Sequence, residues 1–379
     1  MVVTKARLVL SLSAMLLILT ACPNPYFERV KELVDSAKGS SVVTPGSTQP
    51  LFLYSLGISG TGVDVFSLDP VTGTLSHTST FGLPIPPGGM AIDSIATLMF
   101  VTAPLANQVW GFTINPATGA LTTTGTPFST GTAAPGAIYV RRSNDAVYVA
   151  FPTSGAIQAL SMAASGVLGY LLTVSAGSTP VALVTDVSSQ FLYAATGASG
   201  GSIYGYTLNP AGTPGVGVPF PASGSPTYVA IDPTGAFLYE SDHSTGIVRL
   251  WNIDSITGNL TPSFGTPYSV TTNPEKMAVD PSGKYLYITD SVANQVVMAR
   301  ITAGTGALTT GGWVYSTGVQ PKGVFVDPSG KFVCVANSGS NSISVFFLDP
   351  ATGFLTLATT YGPTPSSDPE DILITGTAN

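Results

Sequence analysis

The chain has 379 residues, enough for one large domain or two ordinary ones, and 44% of them are hydrophobic, so a sizeable core can form. Only 9% are charged, against about 25% in an average soluble protein, which is typical of a secreted β-protein with many turns. The formal charge of −7 argues against nucleic acid as a partner, because no basic run is longer than the pair Arg141 and Arg142.

Residues 1–21 are predicted to be a targeting segment rather than part of the fold. Lys5 and Arg7 precede an apolar stretch, residues 8–19, which is too short to span a bilayer because a helix needs about 20 residues. The stretch ends in the letters LTAC, which resemble a bacterial lipobox. That resemblance implies cleavage before Cys22, diacylation of Cys22, and membrane lipid as the partner of this anchor. The alternative is an ordinary secretory signal with an incidental cysteine.

Residues 22–50 are predicted to link this anchor to the globular domain. Residues 26–35 can form a short amphipathic helix, and the Gly- and Ser-rich residues 39–47 are typical of a flexible tether. The protein would then face the periplasm or the exterior of a bacterial cell envelope. The other cysteine, Cys334, lies in an apolar strand, which predicts a small buried hydrophobic side chain rather than a reactive thiol.

A unit of 45–48 residues recurs along the rest of the chain. It consists of a proline, a short apolar strand, a turn, an aromatic-rich strand, a Gly/Asn loop, a third strand and a second turn. The opening prolines are Pro87, Pro135, Pro180, Pro226, Pro274, Pro321 and Pro369. This period fits one four-stranded propeller blade, and the seven units predict seven blades.

The turns explain why the strands end where they do. In residues 280–283 (DPSG) the proline presets φ, Asp280 caps the turn and Gly283 closes it, a pattern typical of a type I turn. Residues 349–353 (DPATG) illustrate the second turn, which also recurs.

The two ends of the repeat array complement each other. The first unit, at residue 51, lacks an opening strand, and residues 369–375 form an opening strand without a successor. We therefore expect this C-terminal strand to pair with the N-terminal blade and to close the ring. The predicted fold is all-β: a seven-bladed propeller of four-stranded antiparallel blades over residues 51–379.

Three stretches carry a resemblance to a known family: residues 98–122 (LMFVTAPLANQVWGFTINPATGALT), 279–296 (VDPSGKYLYITDSVANQV) and 326–356 (VDPSGKFVCVANSGSNSISVFFLDPATGFLT). They resemble the YVTN-type repeats of the seven-bladed β-propeller lactonases, which include a propeller form of 6-phosphogluconolactonase. The resemblance covers about residues 51–375 and implies hydrolysis of a sugar-type lactone at the mouth of the central channel. Its motif residues form turns and strands, so no catalytic residue of the family can be matched onto this chain.

Charged residues follow the opening prolines of three consecutive units. Glu275, Lys322 and Glu370 belong to the sixth, seventh and first blades, and His243 lies on the fifth. A lactone hydrolase needs a general base and a group that stabilises an oxyanion. Glu275 could be the base, with Lys322 or the neighbouring Lys276 as the electrophile, and His243 and Glu370 are further catalytic candidates. The alternative is a ring of compensating charges on a non-catalytic propeller that binds a small molecule or a protein partner.

The sequence predicts no cofactor. The chain has two histidines, His77 and His243, far apart in the predicted ring, which excludes a three-histidine zinc site. Carboxylate oxygens of Glu275, Glu370 and Asp371 could hold calcium, although no calcium-binding loop pattern accompanies them.

Overall fold

The computed structural model describes residues 50–375 except residues 61, 132, 199, 223 and 264. The predicted signal segment, the lipid-anchor residue Cys22 and the tether fall outside the described residues. Among those that are described, no helix is long and apolar enough to cross a membrane.

In the described part of the chain, thirty strands form seven antiparallel sheets, and each sheet is one blade. The strands of the first four blades are β1 (Leu51–Gly57), β2 (Gly62–Leu68), β3 (Leu75–Gly82), β4 (Gly89–Ile92), β5 (Leu98–Ala103), β6 (Gln108–Ile114), β7 (Leu121–Thr123), β8 (Phe128–Ser129), β9 (Ile138–Val140), β10 (Ala146–Phe151), β11 (Ala156–Met162), β12 (Leu168–Ser175), β13 (Pro180–Thr185), β14 (Phe191–Thr196), β15 (Ser202–Thr207) and β16 (Val218–Pro221).

The remaining strands are β17 (Pro226–Ile231), β18 (Phe237–Asp242), β19 (Ile247–Ile253), β20 (Leu260–Pro262), β21 (Tyr268–Ser269), β22 (Pro274–Val279), β23 (Tyr285–Asp290), β24 (Gln295–Ile301), β25 (Leu308–Ser316), β26 (Pro321–Val326), β27 (Phe332–Asn337), β28 (Ser342–Leu348), β29 (Leu355–Tyr361) and β30 (Pro369–Thr375). In the second and fifth blades the outermost strand is divided in two, since β7 and β8 both pair with β6, and β20 and β21 both pair with β19. When each divided outer strand is counted once, every blade has the predicted four strands.

The first blade is completed by the last strand. Strand β30 lies on the inner side of β1, with Leu53 opposite Ile374 and Ser55 opposite Ile372. The sheet order β3-β2-β1-β30 confirms the predicted closure of the ring. The seven inner strands follow one another around a central channel in the order β30, β4, β9, β13, β17, β22 and β26.

Apolar clusters fill the spaces between neighbouring blades. The cluster between the first and second blades, for example, joins Tyr54 and Leu56 of β1 to Met90 of β4. Cys334 is fully buried in the cluster between the seventh and first blades, as predicted, and burial raises the pKa of its thiol further, with a contribution from Asp327.

The two recurring turns make different contacts. In the DPSG turn one Asp280 carboxylate oxygen accepts hydrogen bonds from the backbone N–H groups of Lys284 and Tyr285, at 2.8 and 2.7 Å, which confirms its capping role. In the DPATG turn the glycine contacts the preceding blade. A Cβ added at Gly353 would lie 2.3 Å from the Tyr285 ring, and the Gly353 carbonyl accepts a 2.7 Å hydrogen bond from the Tyr287 hydroxyl.

This contact between blades recurs around the ring. Buried tyrosine hydroxyls donate to glycine carbonyls of the next blade in four further pairs: Tyr54 to Gly119, Tyr148 to Gly212, Tyr193 to Gly258 and Tyr239 to Gly306. All five glycines have a positive φ, and at Gly119, Gly258, Gly306 and Gly353 an aromatic ring also lies where a Cβ would be. The recurring turn therefore also connects neighbouring blades.

Candidate functional site

The central channel is a cavity of about 1100 Å³ lined by residues from all seven inner strands. Its lining includes Thr227 and Glu275 from the first residues of the inner strands at one mouth, and Arg142 and Pro328 from the turns at the other. The cavity therefore extends along the full length of the inner strands, and the two mouths differ in chemistry.

Two ion pairs cross the boundaries between blades at the first mouth. Lys322 Nζ lies 2.9 Å from Glu275 Oε1, which also accepts a 2.8 Å hydrogen bond from the Ser291 hydroxyl. Lys276 Nζ lies 2.7 Å from Asp371 Oδ1. Three of the predicted candidates, Glu275, Lys322 and Glu370, line one cavity. We call these four paired residues, together with Glu370, the charged rim.

The backbone of the charged rim is held from the second strand of the preceding blade. The Ser241 hydroxyl donates to the Glu275 carbonyl and the Thr289 hydroxyl donates to the Lys322 carbonyl, each at 2.8 Å. These hydroxyls lie at equivalent places in β18 and β23, one position before the last residue of the strand. The rim is thus tied to the rigid part of the blades although its residues begin the inner strands.

Glu370 differs from the other acidic residues of the rim. Its carboxylate makes no hydrogen bond or ion pair with any residue that the structure describes, while Glu275 and Asp371 are both paired. Burial raises the pKa of Glu370 above its ordinary value. Lys322 and Lys276 oppose that rise, and Asp368 and Glu275 add to it. Glu370 is therefore an unpaired carboxyl group between two lysines, with an increased affinity for a proton.

His243 stands apart from the charged rim. Its Nδ1 lies 2.8 Å from the Thr227 hydroxyl, and its ring is exposed outside the cavity lining. Within the described part of the chain, no hydrogen bond joins it to Glu275, Lys322 or Glu370. The structure therefore brings three of the four candidate side chains together in one cavity. His243 lies outside that cavity and contacts Thr227, which belongs to its lining.

The opposite mouth contains one cation among the lining residues, Arg142, which is exposed. Its neighbour Arg141 is buried and paired with Asp145 at 3.0 Å. The two adjacent arginines therefore differ in role: Arg141 makes a structural ion pair, and Arg142 lies at the far end of the channel.

Two tyrosines of the channel wall were not predicted as site residues. Tyr139 on β9 and Tyr228 on β17 line the cavity. Burial raises the pKa of Tyr228, and the charges of Asp371 and Tyr139 raise it further, so Asp371 and Tyr139 both lie within electrostatic range of Tyr228. The sequence does contain a signal, because most residues at these inner-strand positions of the other blades are smaller or aliphatic.

A second group of charges lies outside the channel, in the fifth blade. Glu240 and Asp242 on β18 are fully buried, and Arg249 on β19 lies 2.8 Å from Glu240 Oε1 and 3.6 Å from Asp242 Oδ2. Trp251 Nε1 donates to Glu240 Oε2 at 2.9 Å. Burial raises the pKa of Glu240 to about 7, despite the opposing effects of Arg249 and Trp251. We call these four residues the blade-5 cluster.

Two of the three carboxylates considered for calcium are engaged otherwise. Glu275 and Asp371 face lysines, as described above. In the described ranges of residues 50–375, no three His, Cys, Asp or Glu side chains are grouped so that they could hold a metal ion.

Comparisons with known proteins identify the family. A model of the family "Lactonase, 7-bladed beta-propeller" matches residues 146–265 and 261–368. The chain belongs to this lactonase family. No curated protein matches the sequence.

Solved structures of similar fold include lactonase-family propellers at low sequence identity. A candidate 6-phosphogluconolactonase from Bacteroides uniformis is 19% identical, with a TM-score of 0.76 and coverage of 86% of this chain and 100% of that one. A candidate 6-phosphogluconolactonase from Bacteroides fragilis is 17% identical, with a TM-score of 0.75 and coverage of 88% and 99%. A periplasmic gluconolactonase from Pseudomonas aeruginosa is 19% identical, with a TM-score of 0.72 and coverage of 86% and 99%. At these identities the likeness concerns the fold.

Proposed function

We propose that this lactonase-family propeller hydrolyses a sugar-type lactone at the charged rim, with Glu370 as the general base. The observation that carries this proposal is the unpaired Glu370 carboxyl group, which faces the cavity beside Lys322 and Lys276. A general base works best when its pKa approaches the working pH, and the raised pKa of Glu370 moves it in that direction.

Three residues of the charged rim, Glu370, Lys322 and Glu275, have separate roles in the reaction. Glu370 takes a proton from water as the water oxygen attacks the lactone carbonyl carbon. The carbonyl oxygen becomes an oxyanion, which the Lys322 ammonium group stabilises. The ring C–O bond then breaks, the leaving oxygen receives the proton from Glu370, and the product is a hydroxy acid. Glu275 holds Lys322 at 2.9 Å and so acts as a positioning residue.

The replacement Glu370→Gln is expected to lower kcat by about 100-fold or more, because it removes the proton acceptor and preserves the size of the side chain. The measurement is hydrolysis of a panel of unphosphorylated and phosphorylated lactones above the uncatalysed rate. Since burial raises the pKa of Glu370, the acidic limb of the pH–rate profile should lie above pH 4.5. Arg142→Gln, at the opposite mouth of the same cavity, is the matched control and should retain full activity.

A Glu275→Gln variant distinguishes the role of Glu275 from that of Glu370. It should reduce the rate less than Glu370→Gln, because Lys322 remains present but loses its partner. Full activity in Glu370→Gln would contradict the proposed base. The absence of turnover from a folded wild-type protein would favour the alternative, a propeller that binds a small molecule or a protein partner without catalysis.

We propose further that Cys22 carries lipid and anchors the propeller in the bacterial envelope. The sequence around Cys22 supports this, and one relative of similar fold is described as periplasmic. In a bacterial host, Cys22→Ser should abolish incorporation of labelled fatty acid and move the protein from the detergent phase to the aqueous phase. Equal partition of Cys22→Ser and wild type would contradict the anchor.

A further inference from the structure

We propose that the charged rim accepts an uncharged, polyhydroxylated ring held on Tyr228 and rejects the phosphorylated form of the same ring. This inference rests on the proposed function, because it assigns a substrate class to the same site. Two independent observations support it: the charge balance of the rim and the free hydroxyl groups in the channel wall.

The charge balance disfavours a phosphate group. With all five side chains ionised, the rim carries two positive and three negative charges, and both lysines are already paired, at 2.9 and 2.7 Å. Each lysine already faces a carboxylate, so a phosphate dianion that approaches Lys322 or Lys276 also approaches Glu275 or Asp371 and the unpaired Glu370. The third cation of the cavity lining, Arg142, lies at the opposite mouth. Binding a phosphate here therefore adds negative charge to a rim that is already net negative.

The hydroxyl groups of Tyr139 and Tyr228 have no partner within the described part of the protein. The buried tyrosines of the second strands behave differently, since Tyr54, Tyr148 and three others each donate a hydrogen bond across a blade boundary. Polar groups in a cavity wall without protein partners are available to a ligand. Because Tyr228 lies near Asp371, a ligand hydroxyl group there can meet both a tyrosine hydroxyl, which donates or accepts, and a carboxylate, which accepts.

The shape of the channel wall fits a ring. Tyr228, Tyr139 and Phe325 line the cavity from the fifth, third and seventh blades, and Tyr228 occupies the same position after its opening proline as Lys276 and Asp371 of the charged rim. Aromatic side chains combine a large apolar face with, in tyrosine, a polar edge. The apolar C–H face of a sugar-type ring can pack on such a surface while its hydroxyl groups reach the tyrosine oxygens and the carboxylates.

The decisive experiment compares glucono-1,5-lactone with its 6-phosphate, which differ only in the phosphate group. We expect kcat/KM to favour the uncharged lactone by about 100-fold, because like charges placed together in a binding site are strongly unfavourable. A preference for the phosphorylated lactone would overturn the inference and would leave the proposed hydrolysis intact.

Binding of a ring that cannot be hydrolysed separates this inference from the catalytic proposal. The probes are 1,5-anhydroglucitol and its 6-phosphate, measured by titration calorimetry or by saturation-transfer NMR. Binding of the uncharged probe alone, with no lactone turnover, would support the inference and contradict the proposed catalysis. Equal binding of both probes, or binding of neither, would contradict the inference.

Tyr228 variants test how the ring is held. Tyr228→Ala should raise the Kd of 1,5-anhydroglucitol about tenfold, and Tyr228→Phe should raise it less, because the ring face remains and only the hydroxyl group is lost. Tyr228→Phe also guards against misfolding, since it keeps the packing volume. Tyr193→Phe removes a buried hydroxyl far from the cavity and serves as the control, with unchanged Kd. An unchanged Kd in a folded Tyr228→Ala variant would overturn the assigned role.

Discussion

A chain that ends before Pro369 is expected to lose its cooperative fold. The missing strand β30 pairs with β1 from Phe52 to Gly57, so its removal leaves a row of backbone N–H and C=O groups of β1 facing the channel. It also removes Ile372 and Ile374 from the apolar cluster between the seventh and first blades. Loss of a buried isoleucine side chain costs about 2–5 kcal/mol each, and a domain has only about 5–15 kcal/mol in total.

Urea unfolding followed by circular dichroism and tryptophan fluorescence would measure this effect. A chain that ends at Thr375 is the matched control, because it keeps all of β30, and it should unfold at the same urea concentration as the full sequence. Adding a peptide of residues 369–375 in trans should restore part of the lost stability. A truncated chain with the wild-type midpoint would show that β30 is dispensable and that the ring is held by other contacts.

The replacement Arg249→Leu is expected to cost about 3–5 kcal/mol of the free energy of unfolding at pH 8. Arg249 is the one cation of the blade-5 cluster, and its loss leaves the buried carboxyl groups of Glu240 and Asp242 without charge compensation. The cost should be smaller at pH 5, because Glu240 can then be neutral. Glu240→Gln is the matched control: it keeps the size of the side chain and an acceptor for Trp251, and it should unfold no more easily than the wild type.

The same cluster gives stability a definite dependence on pH. Burial raises the pKa of Glu240 to about 7 in the folded protein, above its ordinary value of 4.5. The folded state therefore binds this proton more tightly, and the contribution of Glu240 to stability is complete below pH 4.5 and is lost as the pH rises through 7. A shift of this size corresponds to about 3 kcal/mol.

The two carboxyl groups of the cluster respond in opposite directions. Burial would raise the pKa of Asp242, but hydrogen bonds from Ser244, Thr245 and Ser225, together with Arg249, outweigh it and lower the pKa. Asp242 thus carries the negative charge that balances Arg249, and Glu240 is the group that titrates near neutral pH. The difference in unfolding free energy between wild type and Glu240→Gln, measured from pH 5 to 8, isolates this effect from Glu370. A difference that does not change with pH would contradict it.

Local patterns in the sequence were sufficient to predict the blades. Asp280 and Gly283 form the predicted turn because their preferences depend on neighbouring residues alone, and the spacing of the prolines fixed the number of blades. The closure by β30 followed from the incomplete first unit. The charged rim could be predicted because its residues follow opening prolines and so begin inner strands, which surround the channel.

Other features depend on contacts between blades that no single repeat reveals. The pairing of Lys276 with Asp371, and the unpaired state of Glu370, depend on which side chains of adjacent blades meet. Tyr228 was missed because its place in the channel wall depends on how the seven inner strands are arranged around the channel, which no single repeat shows. Glu240 did leave a signal, since it occupies the position of Val101 and Ile288 in other blades, where a charged residue is unexpected.

The joining of β30 to β1 also determines when this ring can form in a cell. Phe52 and Thr375, which meet in the first blade, are 323 positions apart, so nearly the whole propeller must be synthesised before its first blade receives its innermost strand. Until then the apolar side chains of β1, including Leu51 and Leu53, have no cover on that side. A growing chain therefore spends most of its synthesis as an open arc, which exposes it to chaperones and proteases until the final strand arrives.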